Sequence, residues 1–87
     1  MPKPIRPEDV LPDGVDRTTL GGLEVRKGAV AAFVANVKQL DDAEPGSAEH
    51  DEIVEQLRQL VPTLRAVGVL DVFQPRSAAV AELINGV

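Results

Sequence analysis

The stretch from Ile53 to Phe73 does most to constrain what this chain can fold into. Its apolar residues Ile53, Val54, Leu57, Leu60, Val61, Leu64 and Val67 recur at the spacing that lays them on one face of an α-helix. Pro62 sits in the middle of that face. Proline has no N–H to donate to the carbonyl four residues back, here Arg58, and its ring crowds that oxygen. The apolar phase nevertheless runs through the proline unbroken. Two arrangements reconcile these facts: one continuous helix bent at Pro62, or a helix that stops and restarts with Pro62 in the first position of a second piece. The kinked continuous helix is preferred. Gly68 then caps its C-terminus. Val69, Leu70, Val72 and Phe73, interrupted only by Asp71, form a compact run expected to turn the chain back under the hairpin.

The flanking segments can be read in the same way. Arg17 to Arg26 holds two short β-favouring runs, Thr19–Leu20 and Leu23–Val25, around Gly21-Gly22. Two glycines supply the positive φ angles of a tight hairpin turn. A lone hairpin is marginal in water, so it must lie on a helix or pair with a copy of itself. From Ala29 to about Ala43, Val30, Phe33, Val34, Val37 and Leu40 repeat with helical spacing, and Ala29, Ala31, Ala32 and Ala35 fill the flanks. Glu44-Pro45-Gly46 ends that helix, and Ser47 is placed to cap the next one, with Glu49, Asp51 and Glu52 in its first turns. A last helix is predicted from Pro75 to Asn85, with Val80, Leu83 and Ile84 facing inward. Residues 1–16 carry Pro2, Pro4, Pro7 and Pro12 among charges and read as an extended or flexible arm. Within it, residues 7–11 are a candidate helical turn, and Val10 and Leu11 a candidate anchor. The expected fold is mainly α with a short N-terminal β-hairpin, an α+β domain over 17–87 with three helices, the second kinked or broken at Pro62.

Three of these features together resemble a family of small bacterial proteins that form a domain of unknown function. They are the glycine-turn hairpin leading into Gly28-Ala29-Val30 with Asn36 further along, the acidic helix ending in Val61-Pro62-Thr63-Leu64, and Val67-Gly68-Val69-Leu70-Asp71-Val72-Phe73. The resemblance covers Thr19 to Pro75. It implies that the hairpin, Pro62 and the Gly68–Phe73 turn belong to one architecture, and it implies no activity, substrate or cofactor. Family members continue past the proline with an acidic, tryptophan-containing segment and a basic tail, where this chain has Arg76-Ser77-Ala78-Ala79.

A chain of 87 residues makes one domain with a core near the lower limit for independent stability. That core is almost purely aliphatic, because Phe33 and Phe73 are the only aromatic residues. Large rings usually enlarge a small core, so help from another chain is expected. The absence of cysteine excludes disulfides and thiolate zinc sites. No apolar segment follows Lys3 and Arg6, and no apolar run approaches the ~20 residues that span a bilayer. A cytoplasmic, soluble protein with no membrane role is therefore expected. The net charge is −5, and Asp41, Asp42, Glu44, Glu49, Asp51, Glu52 and Glu55 lie together without an intervening Lys or Arg. Such a patch repels phosphate backbones and argues against nucleic acid as a partner.

Candidate chemistry is sparse. His50 has carboxylate neighbours that invite a metal, but sequential helical residues point around the axis, and only i, i+3 and i+4 pairs share a face. Asp71 sits among apolar residues, so it reads either as a buried cap or as a carboxylate in an apolar pocket. The cap, made through backbone N–H groups or by pairing with Arg65 or Arg76, is favoured. Ser47 and Ser77 lie in no nucleophile elbow, and capping accounts for both. Gly21-Gly22 matches no phosphate-binding fingerprint. Asn36 is a candidate for hydrogen bonding across a helix interface. Arg58, Arg65, Arg26, Lys27 and Lys38 are candidates to meet the acidic segment of another copy.

The chain is thus expected to be a non-enzymatic domain without metal or cofactor that acts by protein–protein association, as a homodimer. Its expected interface contains Phe33, Val37, Leu57, Leu64, Val69 and Phe73, with Asp71, Asn36, Pro62 and Gly68 as structural or functional candidates. The alternative is a small-ligand or divalent-metal-binding accessory protein using Asp71 and the acidic segment 41–55.

Overall fold

Two strands, β1 (Arg17–Leu20) and β2 (Leu23–Arg26), pair antiparallel with Arg17 opposite Arg26 and Leu20 opposite Leu23. Their connection is therefore the predicted two-residue turn, and Gly22 carries the positive φ of 81° that such a turn needs. Both strands begin or end beyond the predicted runs, at Arg17 and Arg26. This computed structural model describes Ile5, Arg6, Gly14 and residues 17–20 and 22–87. Of the expected arm over 1–16 only Ile5, Arg6 and Gly14 are described, and its helical turn at 7–11 and its Val10 and Leu11 anchor fall outside the described residues.

Four helices are present among the described residues: α1 (Ala29–Asp42), α2 (Ala48–Val67), α3 (Val69–Val72) and α4 (Ala78–Asn85). Residues 43–47 fold α1 back on α2 as a helical hairpin, and these two helices make the main packing of the molecule. Ser47 caps α2 as its position implied, its Oγ accepting from the His50 N–H at 3.1 Å. The helix then runs unbroken through Pro62, so the continuous alternative is the observed one. Pro62 is exposed rather than on the apolar face where it was expected, because position 62 turns away from the buried Val61 and Leu64. This leaves the carbonyl that lost its donor on the solvent side, where water can serve it. Gly68 ends α2 with φ 90°, and its N–H reaches the carbonyls of Leu64 at 3.0 Å and Arg65 at 3.1 Å.

Two expectations change at this point. The compact run after Gly68 is a single helical turn, α3, and its main packing partner is the end of α2 rather than the hairpin. This adds a helix to the expected three. The last helix starts at Ala78, not Pro75, because the Ser77 hydroxyl accepts from the Val80 N–H at 3.4 Å and fixes the start three residues beyond the proline.

The core lies where α1, α2 and α4 meet. Phe33, Leu57, Val61, Leu64, Val80 and Ile84 are buried there, with Val37, Leu40, Ile53, Leu60, Val69, Leu70 and Leu83 half-buried around them. The hairpin lies on α2 through β2, burying Val25 and turning Glu24 and Arg26 to solvent. On that outer face Arg17 reaches diagonally to Glu24 at 3.0 Å, an exposed pair worth at most about 1 kcal/mol.

Candidate functional site

Among the described residues, one flank of α1 stays uncovered. Phe33 points into the core, while Val30 and Val34, at the edge of the same apolar stripe, remain 36% and 48% exposed. Opposite them, Gly68 reverses the backbone and α3 directs Val69 and Leu70 inward. Phe73 leaves the helix in an extended conformation, φ −118° and ψ 152°, with its N–H held by the Val69 carbonyl at 2.8 Å. Its ring is 68% exposed and the neighbouring Val72 76%.

Between these walls runs an open groove of about 400 Å³. Phe33, Leu64, Val80 and Ile84 form its floor, Val30, Val34 and Val37 one wall, and Val69, Leu70, Phe73 and Pro75 the other. The polar side chains that line it are Lys38, Gln74 and Arg76. Among the described residues no carboxylate lines it, so the described rim is basic although the chain is acidic overall.

The groove brings together Phe33, Val37, Leu64, Val69 and Phe73 from the expected interface and leaves out Leu57. The roles differ from those expected. Phe33, Leu57 and Leu64 are buried in the chain's own core, so Leu57 offers no area to a partner and Phe33 and Leu64, on the groove floor, offer little. Val37 and Val69 are half-buried, and Phe73 alone of the set stands out into solvent. Val30 and Val34, which the expected set lacked, are exposed apolar lining of the groove, and Val72, also absent from that set, is exposed beside Phe73. The only signal that could have singled out Val30 and Val34 is their place at the margin of the α1 stripe.

Asp71 is exposed, and no hydrogen bond from its carboxylate occurs among the described residues. The expected buried cap is therefore corrected: α3 is helical, so Val69 and Leu70 turn inward and position 71 turns out. Its backbone N–H, not its side chain, makes the local bond, to the Gly68 carbonyl at 3.1 Å. Nor does Arg65 pair with it. The Arg65 guanidinium donates to the oxygens of Ile84 at 2.8 Å and Val87 at 2.7 Å. It thereby satisfies the C-terminal end of α4 and lays a cation on the negative end of that helix. Sequence reasoning missed this role. Asn36 is half-buried on α1, and its amide makes no hydrogen bond among the described residues.

Asp41, Asp42, Glu44, Glu49, Asp51, Glu52 and Glu55 are all exposed around the α1–α2 connection. The His50 ring comes within 3.9 Å of Asp51, but no three metal-ligating side chains converge among the described residues. No described helix is long and apolar enough to cross a membrane. Comparison with models of protein families, with curated proteins and with solved structures yields no match.

Proposed function

We propose that this chain is a non-enzymatic cytoplasmic domain that acts by protein–protein association, as a homodimer, with the apolar groove beside α1 as its interaction surface. One observation carries the reading: the groove ends in a phenylalanine that is 68% exposed, one of two aromatic residues in the chain. Leaving Phe73 in water forgoes about 2 kcal/mol of burial. The chain's own core is small, with Leu57 and Val61 its largest fully buried side chains, so apolar area spent on the surface is a substantial fraction of what it has. An aromatic anchor in an apolar patch rimmed by Lys38, Gln74 and Arg76 has the anatomy of a protein interface. The resemblance to the small bacterial family fits this reading, because its Val-Gly-x-x-Asp-x-Phe signature supplies one wall and the lip of the groove.

Light scattering over about 1 to 100 µM tests it, a range that brackets micromolar dissociation constants. The wild-type chain is expected to approach the dimer mass. Phe73→Ser is expected to stay monomeric with its helical circular dichroism intact, since this ring supports little of the core. A wild-type monomer throughout overturns the proposal.

A further inference from the structure

The charges on α1 run against the helix they sit on. Lys27 stands just before its Gly28 cap, the first turn holds no acid, and no side chain caps it. At the other end Asp41 and Asp42 close the helix, and the last turn holds no base. Peptide dipoles make a helix N-terminus positive and its C-terminus negative, so each end of α1 meets charge of its own sign. Among the described residues neither Lys27, Lys38, Asp41 nor Asp42 has an ion-pair partner.

These residues also share a line with the exposed wall of the groove. At 100° per residue, Val30, Lys38 and Asp41 fall within about 40° of Val34 on α1. All four are exposed, as are Lys27 and the flanking Ala31 and Ala35. Read from one end, the stripe is cation, valine, valine, cation, anion.

We propose that a second copy packs on this stripe antiparallel, with Val34 on the two-fold axis, so that Asp41 and Asp42 of each copy meet Lys27 and Arg26 at the α1 N-terminus of the other. This rests on the association reading above and adds its geometry. The antiparallel register sets Val34 against Val34, Val30 against the stem of Lys38, and Asp41 against Lys27. A parallel register would set Lys27, Lys38 and Asp41 each against itself, which like-charge repulsion disfavours. Only the antiparallel one supplies acids to the N-terminal end of α1 and bases to its C-terminal end, correcting at both ends the mismatch that a single chain carries. The two-fold makes the contact isologous and closed, and Ala31 and Ala35 let the helices approach.

The chain has no cysteine, so a single introduced thiol reads the register directly. Under mild oxidation Val34→Cys is expected to form a disulfide-linked dimer about tenfold faster than Gln39→Cys, which is exposed on another side of α1, because only thiols near the axis come within bonding geometry. Asp41→Lys is expected to weaken dimerisation about tenfold by light scattering, and Lys27→Asp combined with it to restore most of the loss. These surface changes leave the core untouched, and circular dichroism confirms the fold of each variant. A dimer whose Val34→Cys variant links no faster than Gln39→Cys, or whose double charge variant is no better than the single one, overturns the register and leaves the association reading standing. A wild-type monomer overturns both.

Discussion

Arg65 ties the end of the chain to the long helix. Its guanidinium forks between the oxygens of Ile84 and Val87, a planar arrangement that an ammonium reproduces only in part. Arg65→Ala is expected to lower the free energy of unfolding by about 1–2 kcal/mol in urea titrations, and Arg65→Lys by roughly half as much. Gly68→Ala tests backbone conformation alone. A Cβ there meets the Asp71 carboxylate at 3.6 Å, an ordinary contact, so the cost arises from the φ of 90° and is expected at about 1–2 kcal/mol. Asp71→Asn is expected to change stability by less than about 0.5 kcal/mol, as befits an exposed side chain outside any network. The sequence misjudged Asp71 because apolar neighbours suggest burial only when the local backbone is known. One helical turn was enough to aim Val69 and Leu70 in and Asp71 out. Arg65 was illegible for a different reason. Its acceptors are backbone oxygens 19 and 22 residues away, and no side-chain pattern announces them.

Among the elements, the helices were the easiest to read. The stripes of α1 and α2 keep their phase over several turns, and Ser47, Gly68 and Ser77 mark ends by chemistry specific to ends. Boundaries were lost where two signals competed, as at Pro75 and Ser77. Both suit a helix start, but only the hydroxyl fills an orphan N–H. Pro62 lies within α2 at no cost to the apolar phase because it is on the solvent face. Replacing it with alanine restores a donor to the Arg58 carbonyl. Pro62→Ala is therefore expected to stabilise the fold by about 1–2 kcal/mol in thermal or urea unfolding, less than the full penalty of an interior proline because water already serves that oxygen. Where the sequence fell short was in telling buried from uncovered positions. Phe33 and Val34 are adjacent members of one apolar stripe, yet one is buried and the other half open. Periodicity identifies the face but not what covers it, and the uncovered margin becomes visible only once α2, α3 and α4 are in place.

In the molecule as a whole, core size and open surface are linked. Among the described residues the core is small and, Phe33 apart, aliphatic, and a groove of about 400 Å³ with Phe73 at its lip stays open. A second copy over the α1 flank would bury that surface and couple association to folding, because a species that binds only the native state raises its apparent stability in proportion to the logarithm of concentration. The most direct measurement is therefore the thermal midpoint of the wild-type chain and of Val34→Glu across about a hundredfold range of protein concentration. The account predicts a midpoint that rises with concentration for the wild type and stays constant for Val34→Glu. A wild-type midpoint independent of concentration would contradict it.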